Sequence, residues 1–277
     1  MINIGLTTWS EHTSLIKKPR PTLGDYASKL PVVEIDNPFY GIPSRKTFEN
    51  WESQTPDGFK FLVKANQAMT LQTSWEDYYE SERELYETYR NAIAPFVQRG
   101  KLEAILCQFP AMFDCTKENI VHLRRMRHYL GDLPLSVELR HPSWYEPLYL
   151  EKTLEFMRGE HFILLTIDEP QVQDRSIPFY PVVTHPDKAI FRLHGRYKDG
   201  WLAKGDDWRK KRTLYRYNQE ELEEIKQAVL NVAGQVKTTT IIFNNNSGGD
   251  AADNAMALKE LLGIDYSGLN PEQIDLF

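Results

Sequence analysis

The chain has 277 residues, of which 41% are hydrophobic and 26% charged, with a formal net charge of -6 and no apolar run of eighteen residues. These values describe a globular chain with one large core or two small ones and exclude a transmembrane helix. Its acidity argues against a general nucleic-acid coating protein, and two cysteines, Cys107 and Cys115, argue against a disulfide framework.

The N-terminus, Met1-Ile2-Asn3-Ile4-Gly5-Leu6, opens on a strand-like alternation and lacks the basic start and apolar stretch of a signal peptide. A cytoplasmic location without membrane contact is expected. Eight short apolar runs follow one another along the chain: Ile2 to Leu6, Val32 to Asp36, Phe59 to Lys64, Ala104 to Gln108, Leu135 to Arg140, Phe162 to Asp168, Ala189 to His194 and Thr239 to Asn244. Helix signals lie between them. Ser44 precedes Phe48 and Trp51. Ser81 with Glu84 reads as a capping box ahead of Leu85, Tyr89, Ile93 and Phe96. Thr116 precedes Ile120, Leu123 and Tyr129, with a stop at Gly131; Asn218 with Glu221 precedes Leu222, Ile225, Val229 and Val232, with a stop at Gly234. Asp250 is the expected cap of a last helix through Met256, Leu258 and Leu261, ending at Gly263. The Pro-rich connections between the first and second runs and between the sixth and seventh read mostly as loop. Strand and helix repeated eight times predict a single-domain α/β protein, a (β/α)8 TIM-like barrel over residues 1–264, followed by a tail over 265–277. The alternative, an open doubly wound sheet, lacks a G-x-G-x-x-G turn after the first strand.

The phase of the runs carries the functional signal. Polar residues near their C-terminal ends fall on one alternating set: Glu34 and Asp36, Lys64, Gln108, Glu138 and Arg140, Asp168, Arg192 and His194, Asn244 and Asn246. The opposite set is apolar: Val33 and Ile35, Phe61 and Val63, Val137 and Leu139, Phe191 and Leu193, Ile241 and Phe243. In a barrel the polar set points inward at the top rim, where barrel enzymes keep their chemistry. Taken alone, the Glu138 and Arg140 pair also fits an edge strand with a structural ion pair.

These stretches resemble a known family. Glu34-Ile35-Asp36-Asn37-Pro38-Phe39-Tyr40, Phe61-Leu62-Val63-Lys64, Gln108-Phe109-Pro110, Val137 through Trp144, Arg192-Leu193-His194-Gly195 and Phe243-Asn244-Asn245 are similar to successive signatures of the YecE-like family, domain-of-unknown-function family seventy-two. One departure is Asp36-Asn37-Pro38. The resemblance implies a TIM-barrel-like fold and supplies no reaction.

The rim chemistry points to an acid/base enzyme, a hydrolase, lyase or isomerase, acting on an anionic substrate, with phosphate or carboxylate as the charged group and nucleic acid among the candidates. Glu138 is the expected acid/base with His194 as its partner, and Glu34 and Asp168 complete the catalytic set. Lys64, Arg140 and Arg192 are expected to hold the anion, with Gln108, Asn244, Asn245, Tyr40 and Trp144 lining its site. The other reading of the same charges is a set of ion pairs filling the barrel mouth. Gly248 and Gly249, just before the last helix, read as a phosphate-binding turn, with Asp250 competing for the same helix end. Glu34, Glu138, His141, Asp168 and His194 have donor types that suit a divalent metal; no organic cofactor is expected.

Two further stretches suggest partners. Arg196 to Tyr217 holds eight Lys or Arg against three Asp, with interleaved aromatics, so Arg209, Lys210, Lys211 and Arg212 are nucleic-acid candidates or else a solvated loop. The tail Gln273-Ile274-Asp275-Leu276-Phe277 looks like the peptide by which bacterial polymerases and repair proteins dock on the DNA sliding clamp, with Gln273, Leu276 and Phe277 as anchors. That gives an alternative function: a non-catalytic nucleic-acid module recruited to the clamp. Otherwise Leu276 and Phe277 fold back on the barrel.

Overall fold

The computed structural model of the chain describes residues 1–205 and 208–272, and the side chains of all of these except 208 and 209. Among them nine parallel strand segments form one sheet: β1 (Ile2–Thr7), β2 (Val32–Ile35), β3 (Lys60–Lys64), β4 (Leu102–Gln108), β5 (Leu135–Glu138), β6 (Phe162–Leu164), β7 (Thr166–Asp168), β8 (Lys188–Leu193) and β9 (Thr238–Phe243). Their order is β6-β5-β4-β3-β2-β1-β9-β8-β7. The two outer members, β6 and β7, are halves of a single run separated by Leu165. The first half pairs with β5 and the second with β8. The sheet therefore closes through one strand whose two halves face different neighbours. Eight runs make the barrel, as the sequence pattern predicts.

Alternation decides which residues line it. Val32, Leu62, Leu106, Ile163, Leu165, Ile167, Ile190 and Ile242 pack together inside. The opposite phase, Val33, Ile35, Phe61, Val63, Val137, Leu139, Phe191, Leu193, Ile241 and Phe243, packs outward in a larger cluster beneath the helices. The helices meet it with apolar stripes at helical spacing: Leu85, Tyr89, Ile93 and Phe96 from Glu82–Gln98, and Leu222, Ile225, Val229 and Val232 from Gln219–Ala233. Burying each of these side chains contributes roughly 1.5–3 kcal/mol, so the outer layer holds the barrel closed.

Local signals are mostly where the sequence puts them. Thr116 Oγ1 accepts from Asn119 N–H, and Asn218 with Glu221 forms a reciprocal capping box. Ser81 caps its helix, but the Glu84 carboxylate accepts from Glu80 N–H instead of closing the box on Ser81. Two short helices, Thr13–Ile16 and Leu23–Tyr26, interrupt the expected first loop. The last helix, Asp250–Leu261, has Gly249 at its N-cap with φ of +78°, a left-handed conformation that glycine adopts without strain. Asp250 is thus the first helical residue, and its carboxylate accepts from Arg216 Nε at 2.7 Å. Residues 265–272 are laid against the barrel: Tyr266 OH accepts from Ile4 N–H, and Asn270 Nδ2 donates to the carbonyls of Gly24 and Gln54.

Candidate functional site

The rim is organised around Arg192, which reaches up from β8 and is 2% exposed. Its Nε and Nη2 donate to the two oxygens of Glu34 at 2.9 and 2.7 Å, and Nη1 donates to Glu138 Oε2 at 2.9 Å. Both carboxylates are fully buried. A guanidinium has the planar fork to serve two carboxylates at once, which a lysine lacks. Burial pushes the Glu34 carboxyl above its usual range, with Arg192 resisting and Asp36 reinforcing the rise. For Glu138 burial acts in the same direction, but Arg192, His194 and Arg140 outweigh it and hold the carboxyl well below its usual range. The parallel register sets Gln108 beside Glu138, and Gln108 Nε2 donates to Glu138 Oε1 at 2.6 Å. Glu138 is therefore a fixed anion whose oxygens are already occupied. Such a group orients its neighbours and is a poor proton carrier.

His194 stands over this pair. Its Nε2 lies 3.2 Å from Glu138 Oε1, and its Nδ1 lies 2.9 Å from Asn244 Nδ2. Thr7 Oγ1 donates to Asn244 Oδ1 at 2.9 Å, which turns the amide nitrogen toward the imidazole. Nε2 also lies 3.3 Å from Arg192 Nη1, so this nitrogen stands between an acceptor, Glu138 Oε1, and a donor, the guanidinium. Burial pushes the imidazole down to about 4; Glu138 pulls it up and Arg192 adds to the fall. At neutral pH the ring is uncharged.

Arg140 forms the next part of the wall. It lies 3.7 Å from Glu138 and 3.6 Å from Glu169 Oε2, and its guanidinium sits 4.9 Å from the Trp201 ring centroid, with Arg212 at 4.8 Å from the same ring. Lys64 lies over Phe39 and 3.4 Å from Asp36 Oδ1. These residues open into a cavity of about 850 Å³ at the C-terminal end of the barrel. Lys64, Arg140, Arg175, Arg192, Lys210 and Arg212 line it, against two carboxylates, Asp36 and Glu11. Gln108, Asn244, Tyr40, Gly249 and His194 line it too.

Several expected site residues lie elsewhere. Asp168 has the same parity as Phe162 and Leu164, the outward set, so it points away from the barrel interior; it accepts from Arg196 Nε at 2.9 Å and from Tyr217 OH at 2.6 Å. There it pins the segment that follows β8. The inward place is taken by Glu169, in phase with Ile163, Leu165 and Ile167. That continuation of the alternation by one residue could have found it. Burial pushes the Glu169 carboxyl up to about 7, with Arg140 pulling it back. Trp144 is a core residue, 1% exposed, stacked on Phe113 and donating Nε1–H to the Phe113 carbonyl. Asn245 is also fully buried and points outward, donating to the Tyr215 carbonyl and to Asn254 Oδ1.

His141 caps a short 3-10 turn with its ring on Ser143. Among the described residues no three His, Cys, Asp or Glu side chains converge as a metal site, and Arg192 occupies the place between Glu34 and Glu138 that an ion would need. Gly249 borders the cavity but Gly248 is packed against Asp250 and Leu214. The basic run belongs largely to the same cavity, since Lys210 and Arg212 line it while Lys211 is exposed. The side chain of Arg209, and Gln273, Leu276 and Phe277, lie outside the described residues. No helix among the described residues is long and apolar enough to cross a membrane.

A family model described as "Protein of unknown function DUF72" matches residues 3–275. The chain belongs to this family. The DUF72 chain is similar to the UPF0759 protein YunF of Bacillus subtilis strain 168, with 43% identity across the whole of both sequences. It is also similar to a DUF72 family protein of Enterococcus faecalis V583, whose crystal structure matches with a TM-score of 0.96 at 45% identity, over 99% of this chain and 100% of that one. A further DUF72 structure, from Thermotoga maritima MSB8, matches with a TM-score of 0.80 at 28% identity, over 95% of this chain and 100% of that one.

Proposed function

We propose that this DUF72 barrel is an acid/base enzyme that binds a small anionic, phosphate-bearing molecule in its rim cavity. The observation that carries the reading is the imbalance of the cavity wall, six Lys or Arg side chains against two carboxylates. Arg192 is neutralised by Glu34 and Glu138, whereas Arg140 meets its carboxylates only at 3.6 and 3.7 Å and keeps donors for a ligand. Charge-assisted bonds from such a guanidinium are the strong ones.

His194 is the titratable group at the chemistry. Arg192 and Arg140 are among the influences holding its imidazole down. An anion seated beside them would offset that repulsion and raise the basicity of the ring, so His194 becomes competent for proton transfer when substrate arrives. Glu138 holds the ring through Nε2, and the transfer takes place at Nδ1, which exchanges its bond to Asn244 for one to the substrate.

The test is calorimetric titration with butyl phosphate, wild type against Arg140→Met. Loss of one charged hydrogen-bonding partner should weaken binding roughly tenfold or more. Equal affinity in the two proteins would remove Arg140 from the site. A short single-stranded oligonucleotide that binds with steep salt dependence, while butyl phosphate does not, would favour a nucleic-acid ligand instead.

A further inference from the structure

The cavity wall has a second half that the anion does not explain. Three of its polar oxygens are buried and have no hydrogen-bond partner among the described residues: Thr8 Oγ1, Asp36 Oδ1 and Asn246 Oδ1. They follow β1, β2 and β9, which are adjacent in the sheet, so they share one arc of the rim. The cations Arg140 and Arg175 follow β5 and β7, across the ring from that arc, and Arg212, in the segment after β8, leans over Trp201 beside Arg140. Buried acceptors without donors are rare because each loses its water without replacement.

Their orientations are fixed. Asn246 Nδ2 donates to Glu11 Oε2 at 2.6 Å; a carboxylate only accepts, so the amide oxygen must face the other way. Asp36 Oδ1 stands 3.4 Å from Lys64 Nζ, an ion pair without hydrogen-bond geometry. Thr8 has φ of +58°, a left-handed conformation that a β-branched residue seldom adopts. Its N–H donates to the Glu34 carbonyl at 2.9 Å, which holds the strained residue at the rim beside the site's buried carboxylate.

Resting on the anion-binding reading above, we infer that the ligand is a polyhydroxylated anion, its charged group on the Arg140 side and its hydroxyls donating to Asp36, Asn246 and Thr8. Hydroxyl groups are the neutral donors that satisfy such an arc without adding a second cation. A site built this way rejects analogues that lack the hydroxyls, because its acceptors are then left unpaired.

Two matched pairs test this by calorimetry on the full chain: ribose 5-phosphate against butyl phosphate, and gluconate against hexanoate. The inference expects the hydroxylated member of at least one pair to bind about tenfold or more tightly. Which pair shows the preference separates sugar phosphates from sugar acids. Asn246→Ala should abolish the preference while leaving butyl phosphate affinity unchanged, and Thr8→Ala, which also leaves the charges of the wall as they are, does the same through a second residue if the first variant fails to fold. Equal affinities within both pairs, or a preference that survives in the folded variants, would overturn the inference and leave the anion reading standing. If no member of either pair binds, both fall.

Discussion

Glu169→Gln is expected to stabilise the protein at alkaline pH and to do nothing in acid. The carboxyl is 2% exposed; Oε1 accepts from Ile177 N–H at 2.9 Å, and Oε2 has no hydrogen-bond partner and faces Arg140 at 3.6 Å. Burial, against Arg140 and the Ile177 amide, moves it from an ordinary 4.5 up to about 7. Below pH 4.5 the group is protonated in both folded and unfolded chains and costs nothing. Between 4.5 and 7 the unfolded chain gives up its proton first, so stability falls as pH rises. Above 7 the whole penalty is present, and two and a half pH units correspond to about 3 kcal/mol. Glutamine keeps the acceptor for Ile177 N–H and removes the charge. Urea unfolding at pH 4 and pH 8 measures the variant-minus-wild-type difference: near zero in acid, a gain of ~2–3 kcal/mol at pH 8. A difference that is the same at both pH values would refute the burial argument, and a loss at pH 8 would mean that the ion pair with Arg140 outweighs desolvation.

Arg192→Met should cost ~3–5 kcal/mol in the same assay, because Glu34 and Glu138 are left buried without their shared counter-ion; a loss below 1 kcal/mol would show that solvent enters the barrel mouth freely. Gly5→Ala should cost roughly 3 kcal/mol, since a Cβ there lies 2.2 Å from the Val32 carbonyl of the paired strand and neither backbone can move without breaking register. A melting temperature within a degree or two of wild type would contradict that contact.

Most of the rim was legible in the sequence because six of the runs are polar on one set and apolar on the other at their C-terminal ends. A one-residue slip would put Val63, Leu139 and Phe243 into the polar mouth, so the pattern admits one phase. The run Phe162 to Asp168 is different. Ile163, Leu165 and Ile167 face inward while Phe162 and Leu164 face outward, and both sets are apolar. Polarity could not choose between them, and Asp168 was assigned to the wrong face for that reason. Trp144 failed for another reason, since it follows the end of β5 by a short turn where the alternation no longer applies, whereas Asn245 keeps the outward phase of Ile241 and Phe243 and the alternation alone excludes it from the site. The basic run at Arg209 to Arg212 reads as a surface patch in sequence, and the fold of the segment after β8 turns part of it inward. Gly200, at which a Cβ would lie 2.2 Å from the Lys211 carbonyl, permits that close return.

Arg140 links two buried carboxylates of the rim and gives the last prediction. It faces Glu138, held ionised, and Glu169, which titrates near 7, and it borders the cavity where the anion is proposed to bind. The other charged groups facing Glu169 are Glu138, which raises its carboxyl, and Arg212, which lowers it. An anion drawn to Arg140 and Arg212 weakens the attraction that keeps Glu169 ionised, so binding at pH 7 should be accompanied by proton uptake, and affinity should rise as pH falls through 7. Titrating butanesulfonate, whose own charge is constant in this range, at pH 7 in buffers of different ionisation enthalpy counts the protons. The expected uptake is a fraction of one proton, abolished in Glu169→Gln while binding persists. Uptake that survives the substitution would assign the proton to His194, and binding with no uptake in wild type would mean that the anion does not engage Arg140.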